Sequence, residues 1–226
     1  MMKNHPLIVH CIRHGESLAN AGYATSDPAS IPLTDLGHTQ ALAVRENLRH
    51  LSPSLIICSP YFRAQQTAAP AKEIFSSIPV ETWPIHESGF LALKRRRVAT
   101  TAEQRAPLDQ AFWNKADPHF VDGCGAESFA EFMARVQKAL ASFERLHQKQ
   151  HRCVIAFGHS RFFQAMRWVI RENPEITPAA MKRFQDVFRM DQLPNCTHFT
   201  AAYNGRAWAL GQETPRAMTA VTCLAA

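Results

Sequence analysis

The stretch "PLIVHCIRHGESLANAG", Pro6 to Gly22, decides the reading of the fold. Pro6 to Ile12 is a short apolar run with β-branched residues, the pattern of a buried strand. It runs straight into Arg13, His14, Gly15 and Glu16. Strands covered on both faces belong to largely parallel sheets flanked by helices. Such sheets bind ligands beyond the carboxyl ends of their strands, where Arg13 and His14 fall.

The rest of the chain alternates in the same way. Strands are expected at Ser54 to Pro60, Ile78 to Ile85 and Cys153 to Gly158. Helices are expected over Leu33 to Leu51, with Thr34 as N-cap and Leu36, Gln40, Val44 and Leu48 at helical spacing. A further helix, Arg63 to Phe75, is expected to break or kink at Pro70. The strongest amphipathic pattern is Glu127 to Gln150, with Phe129, Phe132, Met133, Val136, Leu140, Phe143 and Leu146 on one face. Helices follow at Arg161 to Ile170 and Pro178 to Phe188. Asn204-Gly205, between two β-like runs, predicts a type I′ hairpin. Residues 88–125 read as irregular and as an inserted cap or lid. The whole is an α/β chain with a mostly parallel sheet and an antiparallel hairpin at its edge.

Four strands then deliver polar residues to one sheet edge. Arg13 and His14 follow the first, Arg63 the second, Glu87 the third and His159 the fourth. Two guanidiniums hold phosphate oxygens in bidentate fashion and neutralise developing charge. Nearby arginines disfavour the imidazolium, which leaves a neutral imidazole able to attack phosphorus. A carboxylic acid protonates the leaving group and then activates water. The cationic side chains perform the electrostatic task of a metal, so no metal or other cofactor is expected.

Composition limits the alternatives. The 226 residues carry a formal charge of +6, which favours anionic partners without choosing among them. No recognition helix or RNA motif supports nucleic-acid binding. No segment approaches a membrane span, and the N-terminal apolar run is too short for a signal-peptide core. A cytoplasmic protein is therefore expected. Cys11, Cys58, Cys124, Cys153, Cys196 and Cys223 lack CxxC spacing and read as thiols rather than zinc ligands. Oligomeric state is not readable. The basic run Lys94 to Arg97 is either a solvated loop or a rim for further substrate phosphates or carboxylates.

The ordered set of motifs resembles the histidine phosphatase superfamily, the phosphoglycerate-mutase-like group. It comprises "IRHGES" with Asn20, "PLTDLGHTQA" at 32–41, "CSPYFRAQQTA" at 58–68, "GAESFAEFMARV" at 125–136, "FGHS" at 157–160 and "PNCTHFTAAYNGRAW" at 194–208. The resemblance implies a three-layer α/β/α sandwich, here a single domain over 1–226 with 88–125 as cap and specificity insert. It implies His14 as the phosphorylated nucleophile and Glu87 as proton donor. Arg13, Arg63 and His159 would bind the phosphoryl group, with Asn20 assisting. Ser160 stands where the family commonly has glycine, and its backbone N–H or hydroxyl is a further phosphate contact. "SGFLALKRRR" after Glu87 lacks the family's Trp-Glu-Gly pattern, and "TSDPASI" lacks the usual aspartate two residues before Pro32. The expected activity is hydrolysis of a phosphomonoester on a small molecule or phosphoprotein, through a phosphohistidine. A phosphoglycerate-mutase-type transferase is the runner-up, and an inactive phospho-ligand-binding protein the third reading.

Overall fold

The computed structural model describes residues 5–96 and 98–214; Arg97 and Cys223 lie outside them. Six strands form one sheet: β1 (Leu7–Arg13), β2 (Leu55–Cys58), β3 (Val80–Thr82), β4 (Cys153–Gly158), β5 (His198–Tyr203) and β6 (Trp208–Thr214). Their order is β3-β2-β4-β1-β5-β6. The first four run parallel, with β4 between β1 and β2, and β5 and β6 add an antiparallel edge. This is the expected mixed α/β architecture.

Strand alternation sends the two faces of β1 to different cores. Leu7, Val9 and Cys11 pack with the large aromatic core on one face. Ile12 packs with Ile56, Ile155 and Phe157 on the other. The second face is covered by α1 (Asp35–Leu48) and α2 (Phe62–Ile74). The first is covered by α4 (Phe129–Gln148), α5 (Ser160–Glu172) and α6 (Pro178–Met190). In α4 all seven expected apolar residues are buried, and Ser128 and Glu131 close a capping box at its start.

Five local expectations are corrected. Residues 88–125 are not irregular throughout, because Leu93–Arg96 forms a 3-10 turn and Ala102–Asn114 forms a helix, α3. A capping box between Thr101 and Gln104 starts α3, and Phe112 and Trp113 anchor it in the aromatic core. Of the two alternatives at Pro70, a break or a kink, the break does not occur, because α2 runs through it from Phe62 to Ile74. In α1, Leu36 is exposed, and Gly37 and Ala41 share the buried face with Gln40, Val44 and Leu48. The third strand pairs only over Val80–Thr82, since Pro79 and Pro84 bracket it and give no N–H to the ladder.

The hairpin forms, but not with a type I′ turn, which needs positive φ at two consecutive residues. Of Asn204, Gly205 and Arg206, only Gly205 has positive φ, at 92°. The Asn204 side chain instead accepts from the backbone N–H groups of Arg206 and Ala207, each at 2.9 Å. That side-chain bond pattern holds the loop.

Candidate active site

The loop after β1 is fastened to α1 by backbone contact. A Cβ on Gly15 would lie 2.6 Å from the Gly37 carbonyl oxygen, and one on Gly37 would lie 2.0 Å from that of Glu16. Neither position has room for a side chain. Thr34 donates to the Glu16 carboxylate at 2.8 Å, Glu16 N–H donates to Gln40, and Gly15 N–H donates to Thr67 on α2. The "RHGE" and "TDLGHTQ" stretches are thus two halves of one clasp, and the clasp fixes His14.

His14 is 3% exposed. Its Nδ1 lies 2.7 Å from the Gly15 carbonyl, which only accepts, so Nδ1 carries the proton. Its Nε2 receives the Arg63 Nε–H at 3.1 Å, so Nε2 carries the lone pair. Burial, then the Arg63 and Arg13 guanidiniums, hold the imidazole pKa well below 6.5. The ring is neutral, with its nucleophilic nitrogen aimed at a guanidinium.

Arg63 organises the site. Its Nη2 donates to His159 Nδ1 at 3.2 Å and its Nη1 to the Pro28 carbonyl at 2.6 Å. Burial lowers its pKa to about 10, while Glu87 acts in the opposite direction. His159, at the N-terminus of α5, then has its proton on Nε2 and gives it to Ser59 Oγ at 2.8 Å. Burial and Arg63 keep it neutral, with a pKa well below 6.5. The His14 and His159 rings are 5.0 Å apart, and Tyr61 stands edge-on to His159 at 5.2 Å.

The remaining expected residues lie around this core. Arg13 donates to the Leu193 carbonyl, and its buried Nε has no hydrogen-bond partner. Glu87 Oε1 accepts from Ser88 N–H at 3.1 Å, and Oε2 accepts from Arg161 N–H in the first turn of α5 at 3.3 Å. Asn20 uses its carbonyl oxygen to hold Ser17 and to accept from Asn195, whose amide also reaches the His14 carbonyl. Arg13, His14, Asn20, Arg63 and Glu87 line one pocket of about 170 Å³. Ser160 and Arg161 line an adjoining cleft of about 380 Å³, which shares Arg13, Asn20 and Glu87 with the first. His159 is fully buried, is bonded to Arg63 and lines neither of these two cavities.

Several contributors went unread in the sequence. Tyr61 lines the pocket, and it stands inside the quoted "CSPYFRAQQTA" with no role read for it. Arg105 lines both cavities, beside Arg96 of the basic run already read as a solvated loop or a substrate rim. Arg105 comes from α3, and the signal for that helix was "TAEQ", a capping box at 101–104.

The fold and this site define an α/β protein that presents a neutral histidine within an arginine clamp at its parallel strand ends. Residues 9–210 match the model of the histidine phosphatase superfamily, branch 1, and the chain belongs to that family. A protein named probable phosphoglycerate mutase GpmB, from Enterobacter sp. (strain 638), is 29% identical over 153 residues, covering 67% of this chain and 70% of its own. Among solved structures, α-ribazole phosphatase from Shigella flexneri superposes with a TM-score of 0.70 at 21% identity, covering 93% of this chain and 97% of that one. A mycobacterial glucosyl-3-phosphoglycerate phosphatase gives 0.67 at 20% identity, covering 91% and 97%. These two likenesses establish a shared fold. Among the described residues no helix is long and apolar enough to cross a membrane.

Proposed function

We propose that this chain hydrolyses a phosphomonoester through a covalent phosphohistidine on His14. The observation that carries the reading is the enforced tautomer of His14: Nδ1–H is spent on Gly15, and the Nε2 lone pair faces the pocket side held by Arg63. In the first step Nε2 attacks phosphorus and the bond to the leaving oxygen breaks. Glu87 gives that oxygen a proton. Arg13 and Arg63 take up the charge on the equatorial oxygens. In the second step Glu87 accepts a proton from water as it attacks, the N–P bond breaks, and His14 returns neutral with release of phosphate.

His159 keeps its Nδ1 on Arg63 and so orients the guanidinium. Residues 88–125 act as the cap, with α3 forming one wall of the larger cleft. Guanidinium charge replaces a metal in this reading, so a chelator should leave turnover unchanged.

A second reading is supported by the relative named as a phosphoglycerate mutase. A mutase uses the same phosphohistidine but returns the phosphoryl group to a second hydroxyl of the substrate. A panel of phosphometabolites, scored for both released phosphate and isomerised product, separates the two. Label trapped on the wild-type protein should be acid-labile and alkali-stable, and acid-stable label would move the nucleophile to another residue type.

A further inference from the structure

The second strand enters the active site through Ser59, Pro60 and Tyr61. Tyr61 is the N-cap residue of α2, and its backbone is fixed on both sides. Its N–H donates to Ser59 Oγ at 3.2 Å, and its carbonyl accepts from the N–H groups of Ala64 and Gln65. The side chain takes no part in capping the helix. It lines the His14 pocket instead, and besides His14 it is the only aromatic ring among the described residues that do so.

Three groups pack on this ring. The central carbon of the Arg63 guanidinium lies 5.0 Å from the ring centre. The His159 ring stands edge-on at 5.2 Å, and the His86 ring is tilted at 5.3 Å. Of the three, only Arg63 is charged. His159 is neutral, and burial, then Arg135, hold the His86 pKa at about 4. His86 is itself fixed, since its carbonyl accepts from Arg135 Nη1 at 2.8 Å and Arg135 is paired with Glu127 at 2.7 Å. Burial pushes the Tyr61 phenol above its ordinary pKa of 10, so Tyr61 meets Arg63 as a neutral π face.

The other partners of Arg63 each take an N–H. Nε is on His14, Nη1 on Pro28 and Nη2 on His159. The Tyr61 ring takes none, because a cation is drawn to a π face by the ring quadrupole. It holds the guanidinium without competing with an anion for its donors. Arg63 is 6% exposed, so water does little to weaken that attraction. A leucine would fill much of the same space but carries no quadrupole.

We infer that Tyr61 is a positioning residue: its ring carries the Arg63 guanidinium while the N–H donors serve the transferred phosphoryl group. This rests on the phosphatase reading and adds a residue to it. The assignment belongs to the ring, not to the hydroxyl or to the bulk of the side chain.

The test is a double-mutant cycle, read as phosphate release from 4-nitrophenyl phosphate. Tyr61→Leu and Tyr61→Met, two ringless variants, should each lower kcat/KM by about tenfold or more. Tyr61→Phe keeps the ring and should stay within about threefold of wild type. In an Arg63→Gln background, Tyr61→Leu should cost less than about twofold further, because the group it supports is gone. A substitution that merely loosened the fold would lose activity in both backgrounds alike. If Tyr61→Phe falls as far as Tyr61→Leu, or if both ringless variants match wild type, the ring is not what positions Arg63. A full loss retained in the Arg63→Gln background overturns the assignment as well, while hydrolysis stands. If the wild-type chain releases no phosphate from this substrate or from the phosphometabolite panel, the phosphatase reading fails and takes the assignment with it.

Discussion

The strand-end clamp and the cap-side cleft use the same residue types in opposite ways. In the clamp, both ring nitrogens of His14 and of His159 are engaged, and Arg63 joins the two rings. Beside the cleft, Ser160 Oγ and Arg161 Nε are buried without hydrogen-bond partners, as is the Nε of Arg13, which lines both cavities. The clamp is built by β1, β4 and α2, whose positions are set by the sheet. The cleft is walled by α3 and the 3-10 turn, which lie outside it. Closed hydrogen bonding fixes one geometry, as a reaction requires.

The comparison breaks most visibly at His14. His14→Ala should lower turnover by about 1,000-fold or more and abolish phosphoenzyme labelling. Full hydrolysis of a generic phosphomonoester by that variant would remove the nucleophile from the clamp. Arg63→Gln should lower kcat/KM by about 100-fold or more across all substrates alike, since it acts on the transferred group. Removing that cation should also raise the His14 pKa toward 6.5, which an NMR titration of the imidazole would show. An unchanged titration would mean that burial alone keeps the ring neutral. Glu87→Gln should slow turnover by about 100-fold while leaving phosphate inhibition near its wild-type value. An unchanged rate would place the proton donor elsewhere.

Smaller effects test the scaffold. Gly37→Ala forces a methyl against the Glu16 carbonyl and should cost about 1–3 kcal/mol in chemical denaturation. Stability should also fall with acid. His14 and His159 sit well below 6.5 when folded, and His10 and His86 are held at about 4, with burial the largest cause in each. Below about pH 6.5 the unfolded chain takes up protons that the folded chain refuses. Stability should therefore decline from about pH 6.5 downward and stay flat just above it in urea melts. A flat profile from pH 7 to 5 would contradict the neutral imidazoles.

Most of the clamp was legible because its residues sit at the ends of strands with strong apolar patterns. "LIVHCIR" and "CVIAFG" announce strands, and the residues that follow inherit a place in space. The cap was not legible for the converse reason. In α3 only Arg105, Phe112 and Trp113 are buried, so no apolar stripe marks it, and Pro107 argues against a helix that nevertheless forms. Ser160 borders the cleft, and its hydroxyl is buried without a hydrogen-bond partner.

The bond from Arg63 Nε to His14 Nε2 has one more consequence. The lone pair that the proposed reaction needs on His14 Nε2 is the one that the guanidinium occupies. At rest that lone pair is latched. In the proposed reaction a phosphoryl group releases the catch by drawing Arg63 to its own oxygens. An electrophile without an anionic group would meet a histidine already engaged.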